Sequence, residues 1–283
     1  MNEMEKIAWV TDSTATLDEE LVNHPDVYSV PMIIYFDNEE YLDGINISFE
    51  EFYTKLTNSD VPPKTSQPSV GTFAELYNKL SENYDRIISI HLSKHLSGTI
   101  SSSTQAAELV EIPVHTVDSK VLSYPLSAMV KKAITLYDKG HHAEEIISKL
   151  EEMTDKNETY VLIGSLEQLH RSGRMTGLQK FLGSLLQIKP IIAIEDGKLD
   201  VADRVRTDKK AVQRLHDLLD VAVAKGTVKE VFVLHGRDID PAIDIKNTIE
   251  AKYPDLQTRL CPLSTTIAVH AGVNTVGVSW YHE

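Results

Sequence analysis

The chain of 283 residues has one cysteine, Cys261, so an internal disulfide is excluded, and the apolar run around it reads as a strand. A reducing, cytoplasmic setting is the simplest reading. The opening stretch "MNEMEKIAWV" lacks the basic start and long apolar region of an export signal. No apolar run approaches the ~20 residues of a membrane span, and the longest candidate, "FLGSLLQIKPIIAI", is broken by Gln187 and Lys189. Positive charge is also scarce. With 28 Lys and Arg against 42 Asp and Glu, the formal net charge of −14 argues against nucleic-acid binding, which needs basic groups in excess. Two motifs of self-contained chemistry are missing as well: the G-x-x-x-x-G-K-[ST] phosphate loop and the G-x-S-x-G nucleophile elbow.

The charge that is present is unevenly spread. Residues 1–60 hold two lysines and fourteen acids, whereas residues 168–214 hold ten Lys and Arg and five acids. Such a basic stretch on an acidic chain fits either a solvated face or a particular anionic ligand or partner.

A hydrophobic content of 42% with 25% charged residues is that of a globular protein, and the length favours two domains. Residues 6–11, 27–36, 86–92 and 112–117 read as short apolar strands of a mostly parallel sheet. Between them, Phe73, Leu76, Tyr77 and Leu80 have helical spacing, with Thr72 and Glu75 as an expected capping box. A helix ends at Gly140, another precedes the polar stretch 154–159, and the domains are expected to span 1–157 and 158–283. In the second half, Asp196-Gly197 between two strand-like runs signals a hairpin, and a helix follows from Thr207 to Gly226. Both halves are therefore α/β.

Four polar spots sit where strands give way to loops. "LSGT" (Leu96–Thr99) joins a strand to a helix, where free backbone N–H groups, Gly98 and the Ser97 and Thr99 hydroxyls could cradle an anion. Ser97 could equally be a helix cap, or a nucleophile. "VTDST" and "TVDSK" place Asp12 and Asp118 after strands, as Asx caps that hold neighbouring loops in register. "KTSQPS" holds Thr65 and Ser66 in a loop stiffened by Pro62, Pro63 and Pro68. His91 and His95 span a strand end and a loop, so they do not share a helix face, and no metal is expected there.

Taken in order, "VTDST", "TSQPS", "LSGT", "VDS", "SLEQLHRSGRM" and "RVRTDKKA" resemble the DegV family of bacterial fatty-acid-binding proteins over nearly the whole chain. The resemblance implies two α/β domains with a ligand site at the interdomain crevice, one long-chain fatty acid with its tail buried, and no cofactor of the chain's own. It implies that Thr65 and Ser97 bind the carboxylate, with Ser66, Gly98 and Thr99 beside them and Arg206 and His270 close to the head group. Arg171 and Arg174 fall where a Gly-Gly-Arg-like run contacts the partner, here written His-Arg-Ser-Gly-Arg. The partner implied is the ATP-binding subunit of a fatty acid kinase, which holds ATP and magnesium and forms an acyl phosphate for phospholipid synthesis. A monomeric, cytoplasmic carrier that touches the membrane transiently is expected. The sequence "VHAGVNTVG" keeps His270 and Gly272 of the family's His-Thr-Gly-Pro-Gly pattern and departs from the rest. Two other classes stay open on the residues alone: a serine-dependent hydrolase or transferase acting on a small acyl or anionic substrate through Ser97, and a regulatory module that senses a small carboxylate.

Overall fold

The computed structural model describes residues 4–59, 61–175 and 188–283. The part of the basic stretch from 176 to 187 lies outside them.

The first half contains β1 (Ile7–Asp12), α1 (Glu19–Val22), β2 (Val27–Val30), β3 (Ile33–Phe36), β4 (Glu39–Leu42), α2 (Phe49–Asn58), β5 (Lys64–Ser66), α3 (Val70–Ser81), β6 (Arg86–His91), α4 (Thr99–Ala107), β7 (Val114–Asp118), α5 (Tyr124–Asp138) and α6 (Ala143–Thr154). Four strands form a parallel sheet in the order β2-β1-β6-β7. Alternate residues of its central strands serve opposite faces, as a pleated strand requires. Trp9, Ile88 and Ile90 pack against α5 and α6, while Ala8, Val10 and Ile87 meet Phe73 and Tyr77 of α3. The chain leaves β1 to one side for β2 and later returns on the other side as β6, so the strand order reverses between β1 and β6. That switch point is where open α/β sheets place a crevice.

The single strand expected over 27–36 is two strands in two sheets. Val27–Val30 pairs with β1, whereas Ile33–Phe36 is the middle strand of a separate antiparallel sheet, β4-β3-β5. Pro31 lies between them, and its missing N–H cannot continue a ladder. The capping box expected at Thr72 also gives way. Ser69 caps α3, accepting from the Thr72 N–H at 3.0 Å, which puts Thr72 inside the first turn.

The second half contains β8 (Asn157–Leu162), α7 (Leu166–Arg171), β9 (Lys189–Glu195), β10 (Lys198–Val205), α8 (Asp208–Ala224), β11 (Val228–His235), α9 (Asp240–Lys252), β12 (Gln257–Pro262), α10 (Thr265–Ala271) and β13 (Val276–His282). Six strands make a mixed sheet, β10-β9-β8-β13-β11-β12, antiparallel except for β11 with β12. The hairpin read at Asp196-Gly197 is present, with both residues at positive φ (47° and 77°), the backbone a tight hairpin turn demands. Thr207 caps α8. One sheet face packs on α8 and α9 through Val231, Val233 and Trp280. The other presents Val161, Ile192 and Leu234 toward α10 and Tyr124 of the first half.

Several contacts tie the halves together. Ala268 and Val269 of α10 pack into the core of the small sheet with Ile34, Phe36 and Phe52. The buried Asp43 carboxylate accepts from Ser13 Oγ (3.0 Å), Thr265 Oγ1 (2.5 Å), Thr266 N (3.3 Å) and Thr266 Oγ1 (2.6 Å), so it caps α10 from the other lobe. Ser93 Oγ donates to the Gly197 carbonyl of the hairpin at 2.7 Å.

Candidate functional site

Between the two lobes lies a cavity lined by side chains of both. Its walls are almost entirely apolar, from Leu92 and Leu122 of the first half to Val161, Leu234 and Ile267 of the second. Thr14 and Leu92, just past β1 and β6, line it, so it opens at the switch point of the parallel sheet.

Asp12 builds that corner. Completely buried, it accepts from Thr14 N (3.0 Å), Thr14 Oγ1 (2.5 Å), His91 Nδ1 (3.0 Å) and Leu92 N (3.0 Å), which locks the ends of β1 and β6 together. The other ring nitrogen of His91, Nε2, lies 2.6 Å from Ser89 Oγ, so both nitrogens are engaged within the core. Asp118 joins the next loop in the same way, accepting from Lys94 N (3.3 Å) and Lys120 N (3.1 Å).

Among the polar side chains on the cavity wall are Thr65, Ser97, Arg174 and His270, from distant parts of the sequence. Thr65 stands on β5, its hydroxyl 2.7 Å from His270 Nε2. His270 occupies the last turn of α10, and its Nδ1 is buried without a partner among the described residues. Burial, reinforced by the nearby positive charge of Arg174, pushes the imidazole down from 6.5 to about 3, so the ring is neutral. Ser97 Oγ accepts from the Thr99 N–H at 3.3 Å and lies 2.9 Å from Thr99 Oγ1. This bond bridges two residues; Gly98 occupies the cap position of α4 with no side-chain bond, so the Ser97 hydroxyl is not a regular helix cap. Arg174 donates from Nη1 to the Ser172 carbonyl (2.7 Å) and from Nε to the Leu96 carbonyl (3.4 Å). Desolvation holds its pKa below the ordinary arginine range, and among the described residues no carboxylate pairs with it. The result is a guanidinium, two hydroxyls and a neutral imidazole on one cavity wall, a set suited to one anionic head group, while the lining hydroxyls of Thr14, Thr159, Thr266 and Thr275 bond within the protein.

The remaining expected site residues lie elsewhere. Ser66 turns its hydroxyl back to the Gln67 carbonyl (3.3 Å) and is not among the cavity walls. Thr99 is fully buried behind Ser97, its hydroxyl 3.6 Å from Met32 Sδ. At Gly98 a Cβ would meet the Gln67 carboxamide at 2.8 Å, so the missing side chain makes room for Gln67 of the "TSQPS" loop. Arg206, placed by resemblance near the head group, is exposed in the turn before α8 and does not line the cavity. Val205, the last residue of β10, packs toward α8, and the chain leaves the sheet at Arg206. Arg171 is exposed and pairs with Glu167 at 2.6 Å along α7. Arg174, expected to contact a partner, lies on the cavity wall. Sequence reasoning missed Thr14, Thr159 and the apolar lining, whose one available signal was the alternation of Thr159, Val161 and Ile163 along a strand.

A two-lobed α/β protein with an apolar interlobe cavity and a cationic, hydroxyl-lined wall is the class that this geometry defines. The sequence pattern of the DegV family, described as "Uncharacterised protein, DegV family", matches residues 6–283. The chain belongs to that family. It is 34% identical over 276 residues to Protein DegV of Bacillus subtilis, covering 97% of this chain and 98% of that one. The crystal structure of that protein, described as a fatty acid binding protein, superposes with a TM-score of 0.92 at 33% identity over 99% of this chain and 100% of its own. A DegV family protein from Thermus thermophilus, described for its fatty acid binding, gives 0.91 at 31% identity over 98% and 100%. At 19% identity, the Fatty Acid Kinase B3 protein of Streptococcus pneumoniae, loaded with linoleic acid, shares the fold with a TM-score of 0.85 over 98% of this chain and 100% of that one.

Proposed function

We propose that this chain binds one long-chain fatty acid, its tail in the apolar cavity and its carboxylate against Thr65, Ser97, Arg174 and His270. The observation that carries this reading is the Arg174 guanidinium, desolvated and without a carboxylate partner among the described residues, beside two hydroxyls at one end of an apolar chamber. The relatives described as fatty-acid-binding support the same ligand.

The energetics divide the labour. Burying ~14 methylenes at about 0.8 kcal/mol each yields on the order of 11 kcal/mol before ordering costs. A hydrogen bond to a carboxylate adds ~1.5–3 kcal/mol. The tail sets affinity, and the polar groups set where the carboxylate sits.

A bound acid held this way is a carrier's cargo. We infer that a separate ATP- and magnesium-dependent kinase subunit transfers the γ-phosphoryl group to the carboxylate oxygen, releasing ADP and leaving an acyl phosphate on this chain. The absence of a phosphate loop from this sequence and the fold shared with the Fatty Acid Kinase B3 protein support that assignment. Ser97 favours a carrier over a hydrolase: the imidazole on the same wall bonds Thr65, and among the described residues the Ser97 hydroxyl bonds only Thr99. The carrier works as a cytoplasmic monomer, and its net charge of −14 keeps its contact with anionic membranes brief.

Native mass spectrometry of the purified protein, followed by organic extraction, tests the ligand. One long-chain fatty acid per chain is expected, and a protein that neither carries nor takes up fatty acid would refute the reading. Incubation with a fatty acid kinase ATP-binding subunit, ATP and magnesium tests the second step, with acyl phosphate as the readout.

A further inference from the structure

The apolar cavity and a polar cleft beside the β9–β10 hairpin share two walls, Thr159 and Ile194. Thr159, Val161 and Ile163 alternate along one face of β8 and the residue that follows it, and all three line the cavity. Ile163 leads into α7 and on to Arg174 at the polar end. At ~3.3 Å per residue Thr159 therefore lies about 13 Å farther from that end. The β8–β9 register sets Tyr160 opposite Ala193, so the next step brings Thr159 opposite Ile194. These two residues separate the far end of the cavity from the cleft.

They do so differently. The Thr159 hydroxyl donates to Asn157 Oδ1 at 2.6 Å and lies 2.6 Å from Ser279 Oγ, which fixes its rotamer. Ile194 has only apolar packing to hold it, and it is partly exposed. Beyond it the cleft is bridged by Lys120, whose ammonium reaches Asp155 at 2.8 Å and Asp196 at 2.9 Å. A methyl terminus pushed past Ile194 would enter a charged, watered space.

We propose that Thr159 and Ile194 are the floor of the acyl cavity, and that Ile194 is the residue that sets the longest tail the protein accepts. The proposal rests on the fatty-acid reading above. Each methylene buried above the floor tightens binding by roughly fourfold, the equivalent of ~0.8 kcal/mol. Below the floor that gain stops, because the added carbons meet water and the Lys120 ion pairs. The length profile should therefore break at one carbon number, fixed by the size of residue 194.

The test is displacement of a fluorescent fatty acid from the wild type, Ile194→Ala and Ile194→Phe by saturated acids of about twelve to about twenty-two carbons. Affinity of the wild type is expected to rise and then level off. Ile194→Ala should move the break to longer chains, with a gain of about tenfold for acids two carbons beyond it. Ile194→Phe should move it to shorter ones, and the opposite shifts exclude a general loss of fold. Unchanged profiles in both variants, with the wild type binding normally, would overturn the floor and leave the fatty-acid reading standing. Failure of every acid to displace the probe from the wild type would sink the fatty-acid reading itself, and the floor with it.

Discussion

His270 Nε2 lies 2.7 Å from the Thr65 hydroxyl, so the small sheet of the first lobe and a helix of the second meet in one hydrogen bond on the cavity wall. Two residues 205 positions apart in the chain thus bring together a hydroxyl and a neutral imidazole that neither lobe would supply alone. Thr65→Val should break that bond and remove one donor to the ligand carboxylate. Fatty acid affinity is expected to fall by about tenfold to a hundredfold, the equivalent of one charge-assisted hydrogen bond. Thr65→Ser should restore most of it, and titration calorimetry with palmitate distinguishes the two.

Ser97→Ala removes the other hydroxyl and leaves the apolar tail contacts untouched. The variant is expected to co-purify with fatty acid yet to yield little acyl phosphate with the kinase subunit, because the carboxylate is held but misplaced. Wild-type phosphorylation by Ser97→Ala would contradict that role.

Two arginines separate the carboxylate site from the surface. Arg174→Gln should weaken fatty acid binding by at least tenfold. Arg206→Gln, at an exposed position off the cavity wall, should change it by less than about twofold. Equal losses in both would return Arg206 to the head group, where family resemblance placed it.

The depressed imidazole of His270 makes a signed prediction for stability. Its pKa is about 3 in the folded chain and near 6.5 when unfolded, so between those values the unfolded chain binds the extra proton. The contribution of this group is complete above about pH 6.5 and is lost as pH falls toward 3, at ~1.4 kcal/mol per pH unit. Urea unfolding at roughly pH 6.5 and 5 should give a drop about 2 kcal/mol larger in the ligand-free wild type than in His270→Gln. Bound carboxylate beside the ring opposes the shift, so the loaded protein should show a smaller difference.

Asp43→Ala leaves the hydroxyls of Ser13, Thr265 and Thr266 without their common acceptor in a buried interlobe contact. A loss of about 2–4 kcal/mol is expected, visible as a lower midpoint in urea. Asp43→Asn, which keeps one oxygen acceptor, should lose less.

How much of this was legible in the sequence depended on whether the information was local. Strands such as β1 and β6 are continuous apolar runs, and the Asp196-Gly197 turn announces itself by its residue types, so the α/β character and the hairpin were readable. The β2 and β3 break at Pro31 is hard to read because residues 27–36 are apolar but for Ser29, and only pairing partners reveal two sheets. The hydroxyl motifs were visible as strand-to-helix turns, whereas their purpose depends on Arg174 and His270, which approach them only through the interlobe packing. Asp43 carried no local signal at all, since its four donors come from Ser13 and from α10. Arg206 shows a second limit: β10 ends at Val205, so the alternation of the strand no longer says where the exposed Arg206 side chain faces.

The central claim concerns where the carboxylate and the tail lie, and a crystal structure of the protein loaded with palmitate tests it most directly. The account predicts the carboxylate within hydrogen-bond reach of Thr65 and Ser97 and beside Arg174, with the tail running along Val161 toward Ile194. A palmitate with its carboxylate at the Lys120 cleft, or one lying outside the interlobe cavity, would contradict it.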